Sequence, residues 1–150
     1  MVLFNLFKYA PSQGMTRWCY RNIGRMKIGN QVGFAFSNMD IIFPEGIEIG
    51  DNSSIGWRTQ LLTHEFTQDH IRLSKLKIGE NVLVGAFSVV RGGITIGDNA
   101  IVAMNSFVNK DIPPDEVWGG VPVRKIGHRN EYPRIHHNYK QRPVRKNSED

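Results

Sequence analysis

Cysteine is almost absent from this sequence of 150 residues, in which Cys19 is the single one. No intrachain disulfide can therefore form, which is typical of proteins from the reducing cytoplasm, and we predict that location. Long apolar runs are missing too. The most apolar stretch, residues 1–7, is far shorter than the roughly 20 residues that a membrane-spanning helix needs. It has no basic segment before it and no small-residue cleavage site after it, so we expect neither a transmembrane segment nor a signal peptide.

Acidic residues are fewer than basic ones, with 14 Asp and Glu against 19 Lys and Arg, and the net charge is +5. Much of the excess falls after residue 121, and we interpret residues 127–150 as a basic C-terminal tail. A solvated, partly disordered segment is the favoured interpretation. The alternatives are binding to nucleic acid or to an anionic lipid surface, or contact of a few cations with the phosphates of a cofactor. Since only the tail suggests nucleic acid, we do not expect it as a partner.

A short repeat dominates the middle of the chain. An Ile-Gly pair followed by a polar residue and then Gln or Asn begins at Ile28, Ile49, Ile78 and Ile96, with separations of 21, 29 and 18 residues. The last interval is three hexads with nothing added. Each hexad opens on an aliphatic residue, and a glycine or alanine follows it in most cases. A repeat of this kind indicates units that bury their apolar side chains only by stacking on one another.

The period of six excludes the simpler folds. It does not match the 3.6 residues per turn of a helix, and an antiparallel sandwich would need longer strands with strict alternation. If each hexad is one strand and one turn, three hexads return the chain to its starting face one rung higher. We therefore predict a mainly β fold, a parallel β-helix of about four to five coils over residues 28–126.

Residues 1–27 lie outside the repeat and are predicted to form a capping segment over the open end of the helix. Their apolar residues suggest one or two short helices, broken at Pro11 and Gly14. A role at a membrane surface is the alternative interpretation of this segment.

The second coil contains eleven extra residues, which predict a loop around residues 63–77. Loops on a rigid scaffold often carry function, and this one holds two of the five histidines, His64 and His70. Composition alone favours ordinary surface histidines.

The repeat and the loop together resemble a known family. The similarity covers roughly residues 20–127 and is to the hexapeptide-repeat acyltransferases, in particular the galactoside, maltose and polysaccharide O-acetyltransferases. The segments that carry it are Ile49-Gly-Asp-Asn, Leu62-Thr63-His64, Ile78-Gly-Glu-Asn-Val, Gly93-Ile-Thr-Ile-Gly-Asp-Asn, Lys110-Asp-Ile-Pro-Pro and Gly119-Gly-Val-Pro-Val-Arg. This resemblance implies that the β-helix is left-handed and that the protein is an acetyl-CoA-dependent O-acetyltransferase.

The resemblance also implies a mechanism. The histidine at the start of the loop, here His64, is the general base that takes a proton from the acceptor as it attacks the thioester. A backbone N–H at Gly85 or Ala86 would stabilise the oxyanion. No metal is expected in catalysis. The acceptor is a small molecule with a hydroxyl or amine, and a sugar is the expected class.

In the family, acetyl-CoA lies in a groove between two subunits of a homotrimer. The residues that the resemblance places along that groove are Ala86, Met104, Asn109, Lys110, Trp118, Gly120, Arg124 and Lys125. Trp118 is expected either to stack on the adenine or to fill a gap beneath the C-terminal segment. Upstream the match is imperfect, so Asn38 and Asp40 are candidate acceptor ligands, and Asp40 could instead orient His64 or make a turn.

Two other functions fit the same fold. One is a non-catalytic β-helix scaffold or assembly subunit, which would not bind CoA. The other is a metal-dependent hydratase, which needs three histidines across subunits and is hard to assemble from the histidines present.

Overall fold

The computed structural model describes residues 2–132, and these residues form a three-sided parallel β-helix. Sixteen short strands are found in this range. They are β1 (Lys27–Ile28), β2 (Gly33–Phe34), β3 (Asn38–Met39), β4 (Ile47–Ile49), β5 (Ser54–Ile55), β6 (Gln60–Leu61), β7 (His64–Phe66), β8 (Ile71–Leu73), β9 (Leu76–Ile78), β10 (Leu83–Val84), β11 (Val89–Val90), β12 (Thr95–Ile96), β13 (Ile101–Val102), β14 (Phe107–Val108), β15 (Glu116–Gly119) and β16 (Arg124–His128).

The strands stack into three faces. The first face holds β1, β4, β9 and β12, the second holds β2, β5, β10, β13 and β15, and the third holds β3, β6, β11 and β14. Within each face these strands pair in parallel, whereas β16 adds to the second face antiparallel to β15. The hairpin of β7 and β8 forms a small sheet of its own.

The hexad-opening residues form the core, as the repeat predicts. Ile78, Val84, Val90, Ile96 and Val102 are all 0–1% exposed. They stack because the register places each directly above its equivalent one coil below. Burial of an aliphatic side chain contributes about 1.5–3 kcal/mol, so the inward columns of the three faces together supply a large share of the stability.

The corner between the first and second faces has a left-handed backbone. Asn52, Asn81 and Asn99 occupy it with φ of 58°, 55° and 60°. Asparagine tolerates this region better than most residues, because its side chain can bond to the nearby backbone. The Asn of the Ile-Gly-Asp-Asn repeat is therefore the residue that turns the chain.

The N-terminal cap is a 3-10 helix, Val2–Tyr9, followed by α1, Gln13–Asn22. Ser12 caps α1, and its side chain accepts a hydrogen bond from the Met15 N–H at 3.2 Å. The prediction of a break at Gly14 is wrong, because Gly14 lies in the first turn of α1 and the chain turns beside Pro11 instead.

The cap closes the first coil in two ways. Tyr20 is only 2% exposed and its ring packs edge-on against Phe7 and Phe34. Arg17 and Arg21 donate hydrogen bonds to carbonyl oxygens of the first coil, at 3.1 Å to Val32 and 2.6 Å to Ile28. These contacts satisfy backbone groups that no lower coil can reach.

The other end of the β-helix is closed by the C-terminal strands. Trp118 of β15 continues the inward register of Val102 and packs against the core. Strand β16 extends to His128, so regular structure continues beyond residue 126, the end predicted for the repeat domain. The predicted tail from residue 133 onward lies outside the described residues. No helix among residues 2–132 is long and apolar enough to cross a membrane.

Candidate active site

The predicted loop is a β-hairpin rather than an irregular segment. His64 pairs with Leu73 and Phe66 pairs with Ile71 across β7 and β8. The hairpin is anchored where it leaves the coil, because the Ser74 N–H donates to the Thr63 carbonyl oxygen at 2.8 Å. His64 is thus the first residue of the hairpin and sits directly on the rigid β-helix.

Asp40 of the coil below reaches His64. The distance from Asp40 Oδ2 to His64 Nδ1 is 2.5 Å. The Asp40 side chain is fully buried, whereas the His64 side chain is 20% exposed. The carboxylate therefore holds one ring nitrogen in the interior and leaves the rest of the imidazole accessible from outside.

Asp40 also fixes the backbone at the base of the hairpin. Its Oδ2 accepts hydrogen bonds from the Thr63 and His64 N–H groups at 2.7 and 3.1 Å, and its Oδ1 accepts from Ile42 at 2.7 Å and Phe43 at 3.2 Å. Burial alone would raise the pKa of Asp40, but these N–H groups and the imidazole outweigh it and hold the pKa below its ordinary value. The carboxylate is ionised at neutral pH.

These contacts correct one sequence prediction. Asp40 has no exposed side-chain surface and five donors on its two oxygens, so it cannot bind an acceptor directly. Its contacts match the alternative, in which it orients His64. Asn38, the other predicted acceptor ligand, accepts a hydrogen bond from Lys8 Nζ at 2.8 Å and so belongs to the contact between cap and coil.

The two faces of the hairpin differ in character. On one face Glu65 forms an ion pair with Arg91 of the next coil, with 2.7 Å between Oε2 and the guanidinium, which lowers the pKa of Glu65. On the other face lie His64 and three apolar side chains, and the ring centroid of Phe66 is 5.1 Å from that of His64. Phe66, Ile71 and Leu73 are each more than half exposed.

Of the two predicted oxyanion donors, Gly85 and Ala86, only one has a free N–H group in the described residues. The Gly85 N–H donates to the Val102 carbonyl oxygen at 2.8 Å and is therefore not available, which corrects that half of the prediction. The Ala86 N–H enters no hydrogen bond among residues 2–132. Gly56 lies one coil below it, and a side chain there would come within 2.4 Å of the Ala86 nitrogen, so the two coils stack this closely only with glycine at position 56.

The base and this donor lie at different corners of the β-helix. His64 follows β6 of the third face, at the corner that leads to the first face, whereas Ala86 follows β10 of the second face. Met104 lies one coil above Ala86, since the Asn105 N–H donates to the Ala86 carbonyl oxygen, and it is 69% exposed. A single chain therefore does not bring base and donor to one point.

The remaining predicted CoA residues fall into two groups. Asn109, after β14, has a buried Oδ1 with no hydrogen-bond partner among the described residues. Gly120 turns the chain between β15 and β16 with φ of 100°, and Arg124 follows as an exposed residue without an ion pair in residues 2–132. The Asn109 Oδ1 and the Arg124 guanidinium thus have no partner in the described part of the chain, whereas the N–H and the carbonyl oxygen of Gly120 are bonded to Ser106 and Phe107.

The second group, Lys110, Trp118 and Lys125, makes contacts within the chain. Trp118 donates from Nε1 to Glu116 at 2.8 Å, and Lys110 Nζ is 5.9 Å from the centre of its ring. Lys125 Nζ is 2.6 Å from Glu116, and this contact is the main cause that lowers the pKa of Glu116. Trp118 is thus partly buried against the core and hydrogen-bonded within β15, and the choice between its two predicted roles stays a prediction. Sequence reasoning missed Glu116, although its spacing of two residues from Trp118 on one strand face was a usable signal.

His70 lies in the exposed turn of the hairpin, where its backbone bonds to Thr67 at 2.9 Å. Over the described range 2–132, no three His, Cys, Asp or Glu side chains are grouped as metal ligands.

Comparison with known proteins agrees with this architecture. Residues 75–110 match the family Bacterial transferase hexapeptide (six repeats). The fold is similar to a maltose O-acetyltransferase from Clostridium difficile 630, with a TM-score of 0.66 and 26% identity over 85% of this chain and 82% of that one. A hexapeptide-repeat acetyltransferase from Vibrio cholerae O1 biovar eltor, solved with acetyl-CoA, has a TM-score of 0.66 at 23% identity, covering 85% and 83%.

A sequence relative extends the match. YvoF of Bacillus subtilis (strain 168), which is named as an acetyltransferase, is 40% identical over 126 residues, or 83% of this chain and 73% of YvoF. The chain therefore belongs to the hexapeptide-repeat acetyltransferases.

Proposed function

We propose that the protein transfers the acetyl group of acetyl-CoA to a hydroxyl, or an amine, of a small acceptor, with His64 as general base. The observation that carries the proposal is the contact between the buried, ionised Asp40 and Nδ1 of His64. An ionised carboxylate accepts the Nδ1 proton, so the neutral imidazole presents an unprotonated Nε2 to the outside.

The proposed reaction follows from that tautomer. Nε2 accepts the proton of the acceptor hydroxyl while its oxygen attacks the thioester carbonyl carbon. The carbonyl oxygen becomes an oxyanion, which the Ala86 N–H stabilises. When the tetrahedral intermediate collapses, the carbon–sulfur bond breaks and the imidazolium returns its proton to the departing thiolate. No covalent acyl-enzyme is required.

This chemistry needs a second subunit. Since His64 and Ala86 lie at different corners of one chain, we propose a homotrimer in which the hairpin of one subunit faces the Ala86 corner of its neighbour. Met104, Asn109 and Arg124 would line the acetyl-CoA groove, with Arg124 facing phosphate. Family membership implies the left hand of the coil.

A sugar is the proposed class of acceptor. The structural similarity to a maltose O-acetyltransferase supports it. The exposed apolar face beside His64 is also suited to the CH-rich face of a sugar ring, which packs on aromatic rings such as Phe66.

The test is a pair of alanine variants assayed for acceptor-dependent release of free thiol from acetyl-CoA. His64→Ala should lower turnover by about 10²–10⁴ while leaving CoA affinity nearly unchanged. It should also cost about 1.5–3 kcal/mol of stability, because it removes the hydrogen bond to Asp40, so the assay is run well below the melting temperature of the variant. His70→Ala is the matched control, because His70 lies in the same hairpin, and it should cost far less. Near-wild-type turnover in His64→Ala would exclude this mechanism even though the fold is right. Absence of both CoA binding and activity in the wild type would favour a scaffold.

A further inference from the structure

The N-terminal cap exposes an unusual number of apolar side chains. Of the sixteen large hydrophobic side chains exposed among residues 6–132, five lie within residues 6–23. They are Leu6, Tyr9, Met15, Trp18 and Ile23. The cap thus carries an apolar outer surface in addition to the apolar inner surface that covers the first coil.

Helix α1 shows how the two surfaces are separated. Thr16 and Tyr20 are 2% exposed and face the coil, whereas Met15 and Trp18 are 48% and 58% exposed. Trp18 is two residues from both buried positions, and two residues are about 200° around a helix. Met15 and Trp18 therefore point away from the protein.

The cap is also positively charged throughout. Residues 1–27 contain five Lys or Arg residues and no Asp or Glu. Lys27 contacts a carboxylate, Glu48, at 3.4 Å, but Lys8, Arg17 and Arg21 donate to neutral amide oxygens, which leaves their charge uncompensated.

The cations of the cap lie beside its exposed apolar side chains. By the helical period, Arg17 and Arg21 lie on a flank of α1, between the buried face and the face of Trp18. Arg25 follows the helix and forms no ion pair in the described part of the chain. A surface that buried Trp18 would therefore meet cations at its edge.

We propose that this cap is a docking surface for an anionic lipid bilayer. Tryptophan and methionine enter the boundary between headgroups and acyl chains, and the flanking cations lie at the level of the lipid phosphates. A flat anionic surface matches both features of the cap, because apolar insertion and charge attraction are needed at the same place. This role is separate from acetyl transfer and does not depend on it.

The test is co-sedimentation of the full-length protein with vesicles of phosphatidylcholine alone or with about one third phosphatidylglycerol. We expect binding to the anionic vesicles only, and weakening as the ionic strength rises. The double variant Met15→Gln/Trp18→Gln should reduce the partition coefficient at least tenfold. Arg25→Gln should reduce it about fivefold.

Matched controls separate the cap from the rest of the surface. Tyr132→Gln removes another aromatic side chain, 39% exposed at the opposite end of the β-helix, and Lys77→Gln removes another exposed cation. Both should bind vesicles like the wild type. All variants change exposed residues and should keep the wild-type melting temperature and thiol-release rate.

Several results would overturn the proposal. One is equal binding to neutral and anionic vesicles, and another is no binding to either. Undiminished binding of the double variant would assign the lipid contact to another segment. Loss of concentration-dependent self-association in the double variant, without any vesicle binding, would instead identify a second copy of the chain as the occupant.

Discussion

Asp40→Asn is the substitution that tests the candidate site most directly, since it keeps the shape of the side chain and removes the charge. The oxygen that remains can still accept the hydrogen bonds from the Ile42 and Phe43 N–H groups. The new amide group then points its own N–H bonds at the N–H groups of Thr63 and His64 and at the imidazole. The two hydrogen bonds from these backbone N–H groups are lost in this arrangement, and the imidazole keeps its contact only in the tautomer that is unprotonated at Nδ1.

The magnitude follows from the burial of these contacts. A hydrogen bond to a charged group contributes about 1.5–3 kcal/mol, and two such bonds from backbone N–H groups are lost. We expect Asp40→Asn to lower the free energy of unfolding by about 3–6 kcal/mol. Asp98→Asn is the matched control, because Asp98 accepts one backbone N–H, that of Glu80 at 2.8 Å, in an exposed position. It should cost about 1 kcal/mol or less.

Turnover separates a positioning role from a merely structural one. Without the carboxylate, nothing holds the proton on Nδ1 of His64, and we expect turnover to fall about 10²–10⁴ while KM for acetyl-CoA stays constant. The assay is thiol release well below the melting temperature of the variant, with unfolding followed by denaturant titration. Unchanged turnover in a destabilised Asp40→Asn enzyme would refute the positioning role.

Three further predictions follow from the same structure. Arg124→Ala should weaken CoA binding by about tenfold in titration calorimetry, with little effect on turnover, whereas Lys77→Ala should not. Light scattering should give a mass of three chains, and a fully active monomer would contradict the shared site. Because the pKa of Asp40 is lowered on folding, its stabilisation is fully present above the unfolded value and is lost as the pH falls. The difference in unfolding free energy between wild type and Asp40→Asn should therefore be constant above about pH 5 and shrink below about pH 4.

The coil was predictable because its signal is repeated. Each hexad-opening position is buried for the same reason, so Ile78, Val84 and Val90 support one another as evidence. The hairpin was harder, since an insertion occurs once and has no repeat to confirm it. The alternation of apolar and polar residues in Ile71–Leu73 was nevertheless a strand signal that the prediction of a loop did not use.

The partner of His64 depends on stacking rather than on local sequence. Met39 pairs with Leu61, so the next residue, Asp40, lies beneath Leu62. His64 is only two residues further along the upper coil. Counting hexads along the sequence therefore predicts that Asp40 and His64 lie close together, although 24 residues separate them. What counting cannot give is the direction of the side chain, which decided between an acceptor ligand and a positioning residue.

The contacts of Asp40 join the coil and the hairpin insertion at the candidate site. The carboxylate binds the imidazole and, at the same time, the two N–H groups where the hairpin leaves the coil. The position of the His64 imidazole is thus fixed by the coil, independently of residues further along the hairpin. Phe66 and Ile71 face outward and are not tied to the core, so substitutions there can alter what approaches Nε2 without moving it. Under the proposed function, the outer side chains of the hairpin would select the acceptor, whereas the coil, through Asp40, would hold His64 in place.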